Sequence, residues 1–400
     1  MSNIRPRVLV LVPRFPYPVI GGDRLRIYYL CRELAKDYSL TLLSLCETQE
    51  EMNMKVPSDG IFERIERVYL PKWKSAFNVL CALPSSTPLQ VAYYRSKEFG
   101  RRIDELLPSH DLSLAHLIRT GDYLLSKKCI RVLEMTDAIS LNYKRVKELK
   151  AKKTLKTLVY SIESERLFRY EKRVVHDFDL VSLVSDTDRS FLIGEAGRGE
   201  RVLTCSNGVD FSGFPYSERK SGSQLIVFIG NMLSAQNLDA CDFFIKEIFP
   251  GLRSKFGALF RVVGRISDAD AARFRSFEGV EVTGLVDSIP AAVSDAAVAV
   301  CPMRIGAGVQ NKVLEYMALG IPAITSSIGF EGLAAVDGKD LIVANSYEEY
   351  ERAVERLFSD DVFSKGMARS ARAYVERDHD WVSMMMPLRN RVKEVLSGRA

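Results

Sequence analysis

An α/β architecture is predicted for this 400-residue sequence, with two Rossmann-like, doubly wound parallel-sheet domains facing across a cleft. Three observations carry that prediction. Short apolar, β-rich runs alternate with helically spaced segments along the whole chain, which is the signature of βα units. The alternation pauses once, in a polar and turn-rich stretch, and then restarts. The length is enough for two domains that each bury a core of their own.

The first series opens with a strand at Val8 to Val12, a loop rich in proline and glycine to Gly22, a helix from Arg24 to Lys36 and a strand from Leu40 to Leu45. Further strands are expected at Arg67 to Leu70, Leu112 to His116, Arg131 to Met135, Leu180 to Val184 and Val202 to Cys205. Helices are expected at Ser96 to Leu107, Leu141 to Val174 and Asp186 to Glu195. These make a domain over residues 1–208, closed by Asn207-Gly208, with a hinge at 209–222. The second series spans 223–376. Its strands are Leu225 to Ile229, Leu259 to Val263, Val280 to Val282, Ala297 to Cys301, Ala323 to Ser326 and Leu341 to Ala344. Helices at Asn237 to Phe249, Asp268 to Phe277, Ile289 to Ser294, Tyr347 to Ser359 and Ser364 to Glu376 lie between or after them, and residues 377–400 hold one more.

Composition narrows the class. Hydrophobic residues make up 47% and charged residues 27%, ordinary for a soluble globular protein. Seven cysteines lie scattered without a CxxC pair, and four histidines lack ligand spacing, so a reducing compartment and no metal site are expected. The apolar run at Val8 ends at Pro13, too short for a signal peptide or a membrane span. Through residue 210 there are 34 basic against 27 acidic residues, and 22 against 24 afterwards, so the front half carries +7 and the back half −2. Most of the excess sits between Asn142 and His176, including Lys144, Lys150, Lys156, Arg166 and Arg173. This stretch reads either as a solvated helical face or as a surface for anionic lipid or a phosphate-bearing acceptor. Aromatic residues are not interleaved there as stacking platforms, which argues against nucleic acid.

Most informative is Pro302 to Thr325. A β-rich run ends at Pro302, a turn holding Gly306 and Gly308 follows, and Val309 to Leu319 has helical spacing that closes on Gly320. A helix start behind glycines offers unpaired N–H groups and the positive end of the helix dipole to a phosphate. Val313, Leu314, Met317 and Ala318 form the buried face, which leaves Lys312 and Glu315 together on another side. Lysine ahead of glutamate is the weaker order for helix stabilisation, so a decorative ion pair accounts for them poorly. A carboxylate there can accept from two neighbouring ribose hydroxyls, and a lysine can neutralise a diphosphate.

Together with Gly21-Gly22, Asn207 to Asp210 (NGVD), Phe228 to Met232 (FIGNM), Val262 to Arg265 (VVGR) and Val282 to Asp287 (VTGLVD), this segment resembles retaining glycosyltransferases of the GT-B fold, family 4 type. The resemblance implies a nucleotide-sugar donor held by the second domain and an acceptor held by the first. It implies that Glu315 is the second glutamate of the family's E-x7-E pattern and grips the donor ribose. The first glutamate falls at Ala307, and the loop after Gly230, beginning at Asn231, lacks the family's arginine and lysine. Sugar and phosphate contacts then fall to Gly306, Ala307, Gly308, Val309, Gln310, Arg304, Arg265 and Lys312, with Val286 beside the nucleotide. Lys312 and Arg265 are the expected stabilisers of the leaving diphosphate.

In the first domain the resemblance puts Gly21 and Gly22 near the donor phosphate or reacting sugar, where only glycine lets backbone approach. Arg24 reaches the acceptor or phosphate, or is merely exposed. The resemblance puts His116 beside the reacting sugar, the other reading being a structural histidine, and Asp137 either orients an acceptor hydroxyl or caps the next helix. The implied reaction is transfer with retention, independent of metal and cofactor, in the assembly of a cell-surface polysaccharide or glycolipid. A cytoplasmic protein, peripheral at the inner membrane surface through residues 144–173, is the expected setting. The alternative is a non-catalytic GT-B paralogue that binds a nucleotide sugar. An oxidoreductase would need GxGxxG after the first strand, where Pro13-Arg14-Phe15-Pro16 stands, and an epimerase would need acid and base groups that are not evident.

Overall fold

The computed structural model describes residues 5–19, 21–149, 155–194, 201–219 and 221–398. They form two compact units, Met1–Ser206 with Met385–Ala400, and Asn207–Met384.

The first unit is a seven-stranded sheet of β1 (Arg7–Val12), β2 (Ser39–Cys46), β3 (Arg64–Tyr69), β4 (Leu112–His116), β5 (Ile130–Thr136), β6 (Leu180–Leu183) and β7 (Val202–Thr204). Its order is β3-β2-β1-β4-β5-β6-β7 and its described pairings are parallel. Parallel strands covered on both faces must be apolar throughout, and Val8 to Val12 are fully buried. Each such side chain contributes about 1.5–3 kcal/mol of burial. The edge strand β3 starts earlier than its apolar residues suggest, because Arg64 to Glu66 already pair with Thr41 to Leu43 of β2; Glu66 accepts from Arg102 at 2.8 Å.

Two sequence expectations change here. The span from Leu141 to Val174 is not one helix but Ile139–Leu149 and Leu155–Asp177, with residues 150–154, and so Lys150, Lys152 and Lys153, outside the described residues. The stretch between β3 and Ser96, given no element by its pattern, holds helices Lys72–Ala82 and Leu89–Tyr93. In the first of these Ser75 and Ala82 are the buried residues, so core periodicity could not reveal it.

The second unit is a six-stranded sheet of β8 (Leu225–Ile229), β9 (Leu259–Val263), β10 (Val280–Gly284), β11 (Val298–Cys301), β12 (Ala323–Thr325) and β13 (Ile342–Val343), in the order β10-β9-β8-β11-β12-β13 and parallel throughout. The helix expected from Asn237 to Phe249 is instead Ala235–Phe243, a π-helical turn Phe244–Ile248, and helix Phe249–Phe256. Pro250 lacks an N–H and its ring crowds the carbonyl four residues back, which forces the wider turn. The segment read as a hinge packs onto this unit: Arg219 is buried and donates to the carbonyls of Gly320, Leu319 and Val293, covering the end of helix Asn311–Leu319. The NGVD motif is structural as well. Asn207 donates to Asn311 at 2.7 Å, its carbonyl meets His379 Nδ1 at 2.8 Å, and Gly208 lies against Trp381, where a Cβ would fall 2.7 Å from the ring.

Both sheets reverse their strand order once, between β1 and β4 and between β8 and β11, the places where open α/β sheets bind ligands. At the second reversal the backbones touch. Gly264 has φ +129°, and a Cβ on it would fall 2.0 Å from the Gly230 carbonyl oxygen. Gly264→Ala is therefore expected to cost more than about 2 kcal/mol in chemical denaturation. Gly338→Ala, at φ +77° with open space around it, is expected to cost only about 1 kcal/mol.

Candidate functional site

In the second unit β11 delivers the chain to Pro302, and the loop reaches helix Asn311–Leu319 through Gly308 at φ +67°. Gly306, which could take a positive φ, does not; it is buried, and a Cβ there would press on Gln310 at 3.2 Å. The helix starts two residues later than its apolar spacing suggests. Gln310 is the N-cap, with no side-chain cap bond, so the first turn keeps N–H groups for a ligand. At the other end Gly320 adopts φ +71° and closes the helix as expected.

Lys312 and Glu315 are not an ion pair. Lys312 is 9% exposed, and its Nζ donates to Asn237 Oδ1 at 2.9 Å and Gln310 Oε1 at 3.4 Å, 5.3 Å above the Phe228 ring centroid. Glu315 is half-buried, and its carboxylate accepts no hydrogen bond among the described residues. Burial pushes its pKa up to about 7 against the opposing pull of Lys312. A recessed carboxylate without a partner is costly, and an incoming donor would relieve that cost.

The other expected donor residues fall around the strand ends. Gly230 follows β8 and donates to the Val263 carbonyl at 3.0 Å. Asn231 is exposed, and its carbonyl accepts from Asn237 Nδ2 at 3.0 Å, so Asn237 ties this loop to Lys312. Arg265 follows β9 exposed, its guanidinium unpaired among the described residues. Arg304, by contrast, is held by Asp239 through two bonds of 3.0 and 2.6 Å over the Phe243 ring, so it is not the free cation expected. Val286 is half-buried after β10, Ala307 is half-buried and Val309 buried in the loop, and Gln310 donates weakly to the Ala307 carbonyl at 3.5 Å. Asn237 escaped the sequence reading. An amide one turn into a helix behind a strand-end glycine was its only signal.

In the first unit Gly21 takes φ +99° and caps helix Gly22–Leu34 without a side-chain bond. Arg24 donates to Glu51 at 3.0 Å and is neither free nor fully exposed. His116 ends β4 almost fully buried, with Nδ1 2.5 Å from Glu134 Oε2. Glu134 also accepts from Arg26 at 2.5 Å and from Thr136 N at 3.0 Å. Burial alone would raise this carboxyl, but Arg26 and His116 overcome it and hold it at about 2. An ionised carboxylate can only accept, so Nδ1 carries a proton, and Nε2 is a buried ring nitrogen with no described partner.

The backbone beside this histidine is strained. Leu117 has φ +64° and Thr136 φ +67°, each costing on the order of 1–3 kcal/mol and held by bonds to Glu134. Asp137 follows, accepting from Asn142 at 3.3 Å, and burial with the nearby Asp188 charge lifts it to about 7. It does not cap the next helix, because Ala138 N and Ser140 N donate to Asp188 and Glu171 instead. Glu134 and Arg26 were missed by sequence reasoning. A lone carboxylate within the apolar run Val132 to Met135 was the available signal.

Residues 223–360 match the family model described as glycosyl transferases group 1. Among solved structures, sucrose-phosphate synthase from Thermosynechococcus elongatus is similar at 14% identity and TM-score 0.74, over 98% of this chain and 100% of that one. HepE from Anabaena, solved in complex with UDP, is similar at 12% identity and TM-score 0.66, over 97% and 100%. The lipopolysaccharide outer core galactosyltransferase WaaB is similar at 12% identity and TM-score 0.59, over 98% and 100%. These likenesses are of the GT-B fold. No curated protein sequence matches the chain.

Glu315 supplies a sign-definite test. Its pKa is raised on folding, so between about pH 4.5 and 7 the native state binds more protons than the unfolded chain, and stability falls as pH rises. Glu315→Gln is expected to remove a decline of about 3 kcal/mol across that window, measured as the pH dependence of unfolding relative to wild type.

Proposed function

Because the chain carries a domain of the glycosyl transferases group 1 family in a GT-B fold, we propose that it moves a sugar from a nucleoside diphosphate sugar to an acceptor hydroxyl with retention of configuration. The observation that supports this best is Glu315, a recessed carboxylate that accepts no hydrogen bond among the described residues, on the helix that follows a glycine turn. Two vicinal ribose hydroxyls would supply the two donors that it lacks. The uncapped start of the same helix would take the adjoining phosphate, with Gly306, Ala307, Gly308 and Val309 offering backbone.

In the proposed step the anomeric carbon–oxygen bond breaks, the diphosphate keeps the electron pair, and the acceptor oxygen attacks from the same face. Its proton passes to the departing phosphate. Lys312 and Arg265 stabilise the charge that develops on the diphosphate, the first as a fixed cation held by Asn237 and the second as an unpaired one at a strand end. Arg304, Gln310, Val286, Gly230 and Asn231 complete the donor pocket, and no metal is required. On the acceptor side Gly21 and Gly22 admit close backbone approach. His116 Nε2, Asp137 and Arg24 are the polar groups proposed to meet the acceptor, a saccharide or lipid-linked saccharide in cell-surface glycan assembly.

The alternative, a non-catalytic sugar-nucleotide-binding protein, draws on Ala307 in place of a glutamate and on the cation-free loop after Gly230. Hydrolysis of a nucleotide sugar without acceptor would count against it.

Thermal stabilisation across UDP, GDP and dTDP tests the primary reading, with at least one expected to raise the melting temperature. Silence from all three would sink it. For the nucleotide that binds, affinity is expected to rise by up to tenfold per pH unit below about 7 and then level, because only the ionised Glu315 accepts both hydroxyls. Glu315→Ala is expected to weaken binding about 10- to 100-fold, and Glu315→Gln to flatten the pH profile. Lys312→Ala is expected to lower turnover by 10²- to 10³-fold, with nucleotide affinity changed less, in a single-turnover assay.

A further inference from the structure

Helix Lys72–Ala82 is inside out. Its buried residues are Ser75 and Ala82, whereas Trp73 is 73% exposed, Phe77 61% and Leu80 63%, with Leu83 beyond them at 48%. At about 100° per residue Trp73, Phe77 and Leu80 fall within an arc of about 60°, and Lys72 and Lys74 lie about 100° to either side of Trp73. The outward face is therefore an apolar stripe rimmed by two cations.

Charge along this segment has one sign, although Arg95 is paired with Asp122 at 3.0 Å and Glu165 is exposed beside Arg166. From Arg67 to Lys97 the chain has no Asp or Glu, and carries Arg67, Lys72, Lys74, Arg95 and Lys97. Arg166 on helix Leu155–Asp177 donates to the Leu83 carbonyl at 2.7 Å, and one turn before it Ile162 is 47% exposed. The apolar stripe and part of the basic helix are thus neighbours on one face of the first unit. A protein partner of ordinary composition would not call for a chain segment without acids over 31 residues. The interface of an anionic bilayer does, with Trp at the headgroup level, Phe and Leu in the acyl boundary and Lys outside.

We propose that this face, centred on Trp73, Phe77 and Leu80 and rimmed by Lys72, Lys74 and Arg166, docks the protein onto an anionic lipid surface. It rests on the transfer reading for its purpose, the meeting with a lipid-linked acceptor, but not for its evidence.

Trp73 is itself the probe. It is one of two tryptophans, and the other, Trp381, is 3% exposed. Intact protein would be titrated at low salt with vesicles of phosphatidylcholine alone or mixed with phosphatidylglycerol, following tryptophan emission and co-sedimentation. A blue shift and sedimentation with the phosphatidylglycerol vesicles are expected. The double variant Phe77→Ser with Leu80→Ser is expected to partition at least about tenfold less. Lys72→Gln and Lys74→Gln are expected to cost about fivefold each and to erode the preference for phosphatidylglycerol. The melting temperature and far-ultraviolet circular dichroism should match wild type in all of them, which shows that they fold. The proposal is overturned by a wild type that neither shifts nor sediments, by variants that partition like wild type, or by equal binding to both vesicle types. A concentration-dependent blue shift without vesicles, with dimer mass, would overturn it in favour of a second copy on this face. A wild type that is stabilised by nucleotide but does not bind the phosphatidylglycerol vesicles strikes only this inference, and a wild type that binds the vesicles but no nucleotide strikes only the transfer reading.

Discussion

A polar group taken out of water must find a partner, and the way each unit meets that requirement organises its site. Arg26 and Glu134 satisfy each other in the first unit, and their union fixes which nitrogen of His116 stays unengaged. In the second, Lys312 is satisfied by Asn237 while Glu315 is left short. At each site that accounting stays incomplete, at a ring nitrogen without a partner in the first unit and at a carboxylate with a raised pKa in the second, as it does at buried hydroxyls such as those of Ser113 and Tyr350 outside them. Complete satisfaction would make a stiffer core with nothing to offer a ligand.

Much of the fold was legible because buried parallel strands admit only apolar residues, and runs such as Val8 to Val12 and Leu225 to Ile229 advertise themselves. The glycine turn before Asn311 and the stop at Gly320 were legible because backbone geometry restricts residue choice there. Helix Lys72–Ala82 was not, since its apolar residues face outward and a periodicity argument assumes that they face in. The π-helical turn before Pro250 was hidden as well, being a local reply to one missing donor inside an otherwise helical pattern.

Site residues divide along the same line. Glu315 and Lys312 could be read from their positions on a helix, but not their separation, because the lysine's choice of Asn237 is a tertiary event between segments 75 residues apart. Arg304 looked available in one dimension and is occupied by Asp239 in three. Asp137 carried two readings, and the capping one lost because Asp188 and Glu171 already hold the amides it would have served.

Asn237 faces two ways. Its nitrogen donates to the Asn231 carbonyl in a surface turn and its oxygen accepts from Lys312 in the interior. A carboxamide cannot rotate to suit one partner without presenting the wrong atom to the other. Ordering of the turn and the aim of the ammonium are thereby a single variable, and a ligand that rearranged Asn231 would be felt at Lys312 through one rigid plane of three heavy atoms.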